Sequence, residues 1–443
     1  MFESRPVVIT ALGAVSPLGL SFEQTWEGIC TGRCGIRPIT AFDAEGFDCR
    51  IAGQVPEYNI QKSIPKFHRK AAKLMSRDIE LAVLAAKDAF DNSGLVTKAA
   101  EQKEVTVDPA RMAINIGAGL ISCDLPELGP AIARSVTQGR FDIRKWGADG
   151  ITAITPLWLL KYLPNMLACH IGIIHDIRGP SNTITCGEAS GQLAIGEAAS
   201  MLARGSADVA LAGGGEAKVN PIVILRQCLL KRTTSKGNNN SESACRPFDM
   251  DASGSVFGEG AAMVLLETIE HAQKRGAKIR AQIAGFGSSN SINEQYEHLE
   301  KNGKGLRIAI EKAMTEAGIE SDQLDLIIPH GTAIPCDDLA EATAIQDALG
   351  KHAARIPTLP TKSMLSHTGA ASGAMDVAIA AAAMERGFIP AAKNCERKAE
   401  GCNLNINKQA RHCLIRYALC CSYTFGGQTA ALVLKNHQVP VNS

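Results

Sequence analysis

Four stretches of the chain carry residue types that can do covalent or acid–base chemistry. GPSNTITCGEASGQLAIGEA (residues 179–198) runs from a polar, strand-like segment through a Gly-containing turn into an Ala-rich helix. Such a junction projects one side chain over the positive end of a helix, where anions and nucleophiles are favoured. HGTAIPCDDLAEA begins at His330, and TKSMLSHTGAASGAMD holds Lys362 and His367. A lone histidine is more often a satisfied core residue, but two histidines and a lysine, each in a Gly/Ser/Thr-rich loop after an apolar run, point to a polar site. SYTFGGQ (residues 422–428) sets a glycine pair after a strand, where backbone N–H groups can approach a ligand or an oxyanion.

These loops need rigid elements to hold them. Strand-like runs that end in turns occur at 6–11, 112–117, 208–212, 261–267, 278–285, 324–329, 415–421 and 429–435, and helix-length apolar periodicity at 69–93, 191–205, 305–317 and 376–386. Their alternation predicts an α/β protein with buried, largely parallel strands. The charged stretch ETIEHAQKRGAK divides the chain into halves, 1–267 and 268–443. Each half closes on a similar strand pair, DVALAGGGE with AAMVLLE and IRYALCCSYTFGG with AALVLK. Residues 136–152 read as a surface insertion and 237–243 as an exposed turn.

Composition excludes several classes. The 443 residues include 46 Lys+Arg against 45 Asp+Glu, a net charge of +1, so neither a disordered chain nor a broadly basic nucleic-acid binder fits. The 14 cysteines form no repeated CxxC pair and have no clustered histidines in sequence, which argues against a zinc ribbon; they are expected to be reduced, mostly buried small hydrophobes. The N-terminal VVIT reads as a strand and not as a signal peptide, because Glu3 sits in the would-be basic region. The apolar stretch 157–177 is broken by Lys161, Pro164, Asn165 and His170, so no membrane span is expected and the cytoplasm is the expected location. No metal or nucleotide motif appears.

VVITALGAVSPLG, RGPSNTIT, ADVALAGGGEA, RPFDMDASGSVFGEGAAMVLLE, HGTAIPCDDLAEA, TKSM and TFGG follow one another in an order and spacing that resembles the type II elongating β-ketoacyl-ACP synthases of the thiolase-like superfamily, from about residue 7 to residue 435. The resemblance implies a five-layer αβαβα fold of two duplicated halves that dimerises. It implies a substrate carried on the phosphopantetheine of acyl carrier protein, with no other cofactor and no metal. His330 and His367 match the two histidines that bind the malonyl thioester carbonyl and stabilise the enolate as CO2 leaves. Lys362 matches the lysine that positions this site, Glu341 a nearby acidic residue, and Phe425 and Gly426 the gate, with the backbone N–H groups of residues 188 and 425 as oxyanion hole. Lys66, Arg69 and Lys70 match a basic helix that meets the acidic carrier protein.

The resemblance fails at one decisive position. Aligned from Gly179-Pro180-Ser181 forward and from Ser190-Gly191 back, the turn places Glu188 where the family has its nucleophilic cysteine. A carboxylate does not replace a thiolate that must hold an acyl group as a thioester, because a mixed anhydride hydrolyses. Cys186 would share the face of Glu188 in a strand but lies about 6–7 Å further back, at about 3.3 Å per residue, and is read as core. Glu188, at a helix N-terminus with Lys362 nearby, is expected to be ionised and to repel a malonyl carboxylate. Further departures are Leu339 for lysine, Ser366 for glycine, and Tyr423-Thr424 for Phe-Gly.

Two subgroups of the family lack the cysteine: chain-length factors, which partner a cysteine-bearing ketosynthase, and Gln-bearing ketosynthases of loading modules, which decarboxylate malonyl-ACP. The CGEASG turn and the AMD after His367 are similar to chain-length factors; against this, such factors commonly lose the histidines, and this chain keeps both. The expectation is a chain-length-factor-like subunit with condensation lost, paired with an active ketosynthase or as a homodimer. The alternatives are a malonyl-ACP decarboxylase supplying primer units, and an atypical condensing acyltransferase.

Overall fold

The computed structural model describes residues 5–100, 103–291 and 298–438. Eleven strands form its main sheet: β1 (Val7–Val15), β2 (Met112–Ala118), β3 (Ser181–Ile184), β4 (Val209–Ala217), β5 (Glu259–Thr268), β6 (Ala281–Asn290), β7 (Leu326–Ile328), β8 (Pro357–Thr358), β9 (Asn405–Ile406), β10 (Tyr417–Tyr423) and β11 (Gln428–Lys435). All eight strands read from the sequence are among them. The long strands β1, β2 and β5 are buried at every residue, which is why their sequences run continuously apolar and do not alternate.

The sheet order is β9-β8-β7-β10-β11-β6-β1-β5-β4-β2-β3. From the centre outward, β1-β5-β4-β2-β3 and β6-β11-β10-β7-β8 repeat one pattern, two antiparallel pairings followed by two parallel ones. The two repeats meet where Val7–Ile9 pairs antiparallel with residues 281–283. The expectation of a largely parallel sheet is corrected accordingly. Each unit ends on a hairpin-like return strand, β5 or β11, that inserts between its first strand and its parallel wing, and only the wings follow the βαβ rule.

The helices repeat as well. α1 (Arg77–Asp91), α2 (Met166–His175) and α3 (Ser190–Ala203) occupy the connections that α4 (Lys304–Ala317), α5 (Pro335–Leu349) and α6 (Ser372–Arg386) occupy in the second unit. Three apolar cores follow. One joins α1 and α2 to an outer sheet face, one joins α4 and α5 to the other, and between them α3 and α6 pack against residues of both units. This is the five-layer αβαβα arrangement. Thirteen of the 15 residues of α6 are buried; its Ala-rich sequence lets a helix lie between the two halves of the sheet without overpacking.

The helix read over 69–93 is two elements. A 3-10 helix, Lys66–Leu74, carries the basic residues, and α1 starts afresh at Arg77 because the Ser76 side chain accepts from Ile79 N–H as an N-cap. The 136–152 segment forms a small exposed hairpin and a short helix, Ile143–Ala148. The cysteines are unpaired, seven buried and Cys336 exposed. Among the described residues no helix is long and apolar enough to cross a membrane.

Candidate active site

β3 ends at Ile184, and the chain then turns through a short 3-10 segment, Gly187–Ala189, into α3. Cys186 and Glu188 are therefore not on one strand face. Gly187 sits at φ +54, and a Cβ there would come 2.6 Å from Thr424 Oγ1, so only glycine lets the turn approach the 424–427 loop. That approach brings Thr424 to Glu188. The Glu188 side chain is 3% exposed, hydrogen-bonds Thr424, and faces a cavity of about 470 Å³ that Thr185, Glu216, Lys218, Phe425 and Gly426 also line. No cysteine lines this cavity. Burial alone, the leading influence on the Cys186 thiol, pushes its pKa up, the opposite of what a nucleophile needs.

Burial alone would raise the Glu188 carboxyl. Lys218, His367, Arg232 and the Thr424 hydroxyl outweigh it and hold the pKa at about 2. His367 is neutral at neutral pH, so Lys218 and Arg232 are the lasting cations. The expected ionisation is thus found with different agents. Lys362 is turned away, its ammonium donating to the His330 carbonyl and lying 3.5 Å from Asp376 Oδ2. Lys218 also pairs with Glu216 at 2.8 Å, and Glu216 in turn accepts from Ala370 N–H at 2.7 Å.

The two histidines come together from opposite loops of the second unit. Their rings meet edge to face with centroids 5.2 Å apart, and Tyr423 packs on His330 at 4.6 Å. Burial, then neighbouring cations, pushes both well below the ordinary histidine pKa, so both are neutral. His367 Nδ1 accepts from Gly369 N–H at 3.2 Å, which assigns the proton to Nε2. Among the described residues neither His330 nitrogen nor His367 Nε2 has a hydrogen-bond partner, and neither ring lines the cavity.

The start of α5 grips the His330 loop. Glu341 accepts from His330 N–H at 2.6 Å and from Gly331 N–H at 2.7 Å, and Asp338 accepts from Thr332 and Ala333 N–H and from Phe248 N–H. Glu341 is therefore a clamp on the backbone that carries His330. Asp338, which sequence reading missed, shares this work. Its signal was the carboxylate spacing D-D-x-x-E, which opens a helix directly after a Gly-Thr loop.

Phe425 is half-buried at the cavity rim, and the Arg232 guanidinium lies 4.8 Å from its ring centroid. Arg232 also pairs with Asp337 at 2.9 Å, both side chains buried. The loop turns at Gly427, φ +98, where a Cβ would meet Ser291 O at 2.4 Å. Lys218, Glu216 and Arg232 gave no sequence signal beyond residue type. Lys66, Arg69 and Lys70 are exposed on the 3-10 helix with no ion-pair partner among the described residues, beside an 87% exposed Phe67.

The model of the beta-ketoacyl synthase N-terminal domain matches residues 4–272, and that of the C-terminal domain matches 280–396. The chain is 33% identical over 435 residues to a 3-oxoacyl-[acyl-carrier-protein] synthase 2 of Coxiella burnetii, covering 98% of this chain and 99% of that one. The solved ishigamide ketosynthase/chain length factor superposes with a TM-score of 0.82 at 29% identity, covering 98% of this chain and 100% of its own. A type II PKS acyl-carrier protein in complex with its ketosynthase bound to the hexaketide contains a chain similar at TM-score 0.82 and 25% identity, covering 98% and 99%.

Proposed function

The chain belongs to the beta-ketoacyl synthase family of fatty acid and polyketide biosynthesis, and we propose that within it this protein is a non-condensing, chain-length-factor-like subunit that partners a cysteine-bearing ketosynthase. The observation that carries this reading is Glu188: a buried carboxylate held ionised against burial, foremost by Lys218, in a cavity with no thiol. It cannot store an acyl group as a thioester, and its charge opposes entry of a malonyl carboxylate.

The surface favours a partner. Among the described residues, 14 of the 19 exposed large apolar side chains fall between residues 120 and 230, Leu120, Ile143, Ile173 and Leu229 being exposed by 60% or more. Exposed apolar side chains concentrated in one stretch of the chain are what a protein partner would cover. The wing strand β3 pairs with β2 alone, which leaves its outer backbone edge for another chain. The solved ketosynthase/chain length factor supports a heteromeric partner, and the carrier-protein complex supports acyl carrier protein as the second contact, for which the exposed Lys66, Arg69 and Lys70 offer positive charge.

The second reading, a malonyl-ACP decarboxylase, is favoured by the neutral His330 and His367 with unpartnered nitrogens. Labelled malonyl-ACP separates the two. The lone protein is expected to release no CO2 and form no β-ketoacyl product, and mixing with a cysteine-bearing ketosynthase is expected to give a stable heteromer on native mass spectrometry with altered product length. CO2 release by the lone protein that disappears in His330→Ala would replace the partner reading with the decarboxylase, and elongation by the lone protein would overturn both.

A further inference from the structure

The sequence shows no metal motif, yet the fold brings His298 against the start of α5. His298 Nδ1 lies 3.3 Å from Cys336 Sγ and 3.3 Å from Asp337 Oδ1, and the sulfur lies 4.0 Å from the same oxygen. We propose that His298, Cys336 and Asp337 form a binding site for a zinc-class divalent cation.

The geometry carries the inference. The three donor–donor separations, 3.3, 3.3 and 4.0 Å, are close to the roughly 3.3–3.5 Å that tetrahedral bonds of about 2.0–2.3 Å require, and the sulfur has to move about half an ångström toward Asp337 Oδ1 to reach it. A ligand set of one thiolate, one imidazole and one carboxylate selects borderline transition metals and excludes Mg2+ and Ca2+, which take oxygen ligands. Cys336 is exposed and His298 is 35% exposed, so a cation can reach these donors.

The carboxylate is already oriented. Asp337 Oδ2 holds Arg232 at 2.9 Å, and Leu299 N–H donates to Oδ1 at 3.2 Å, which leaves the second lone pair of Oδ1 for a metal. Arg232 in turn covers Phe425 at the rim of the Glu188 cavity. A bound cation therefore ties residues 298–299 to α5 on one side and steadies the Arg232–Phe425 contact on the other.

The test uses the full chain, stripped with chelator and titrated with Co2+ and then Zn2+. Wild type is expected to bind one Co2+ per chain at micromolar concentration, with intense tetrahedral d–d absorption and a thiolate-to-cobalt band, and Zn2+ is expected to bleach both. Cys336→Ser is expected to abolish the thiolate band, and His298→Gln to weaken binding about 100-fold, while Cys413→Ser changes neither. Both variants alter partly exposed side chains, and thermal melting of the metal-free forms checks that they fold. Weak six-coordinate cobalt spectra, or bound metal that survives in both Cys336→Ser and His298→Gln, would overturn the proposal.

Discussion

Lys218 Nζ lies 2.8 Å from Glu216 Oε1, and neither side chain is more than 5% exposed. The same ammonium heads the cations that hold Glu188 ionised, so one lysine serves two buried carboxylates. Lys218→Met strands both charges and is expected to cost about 3–5 kcal/mol of stability, the usual loss for half of a buried pair. Adding Glu188→Gln to that variant is expected to recover about 1–2 kcal/mol, the scale of coupling between touching groups. Urea unfolding of the four proteins of this cycle measures both terms.

Stability depends on pH through opposing groups. His330 and His367 are neutral when folded, which draws stability down below about pH 6.5, whereas Asp78, Asp338 and Glu341, pushed up by burial to about 7, 7 and 8, are protonated when folded and draw it up as pH falls over the same range. Glu188 and Glu267 have folded pKa values of about 2, below the ordinary 4.5; burial opposes this shift, but their cationic and hydrogen-bonding partners outweigh it. Their stabilisation is present above 4.5 and is lost as pH falls toward 2. Melting temperatures are expected to decline steeply below about pH 4.5, and Glu188→Gln is expected to flatten that decline.

Glutamine at position 188 removes the charge that meets a malonyl carboxylate and supplies an N–H donor. CO2 release from labelled malonyl-ACP is expected to rise about tenfold or more in Glu188→Gln, equivalent to about 1.4 kcal/mol off the barrier. The gain should vanish when His330→Ala is added.

Ser366 adopts φ +63 and ψ 179, a region that essentially only glycine occupies. Its hydroxyl has no partner among the described residues, and it lies where a Cβ on Gly53 or Gly258 would approach within 2.1 or 2.0 Å. Ser366→Gly is expected to stabilise the protein by about 1 kcal/mol, the relief of strain less the added freedom of the unfolded chain. Thermal denaturation checks the sign.

Charge reversal at Lys66, Arg69 and Lys70, all exposed and unpaired among the described residues, is expected to leave the fold intact. Acyl carrier protein binding should weaken about tenfold or more at low ionic strength, and the difference should shrink as salt screens it. Titration calorimetry at two salt concentrations reads both.

Much of the site was legible because it is written locally. The turn holding Glu188 is a Gly-bearing strand-to-helix junction, and His330, Lys362, His367 and Phe425 all sit in small-residue loops that follow apolar runs. Sheet direction was not legible, because a buried strand looks equally apolar whether its neighbours run parallel or antiparallel. The helix break at Ser76 was hidden by an apolar period that continues across it.

The sequence by itself determined the succession of elements, the duplicated plan and the absence of a cysteine at the 188 position, since hydrophobic period and turn chemistry act within short windows. The tertiary structure alone decided the state of the site. Lys218, Arg232 and Thr424 reach Glu188 from three separate loops, Lys362 turns from it to the His330 carbonyl, and burial leaves both histidines neutral. Ionisation is set by burial and by distances between charges, and neither exists until the chain has folded.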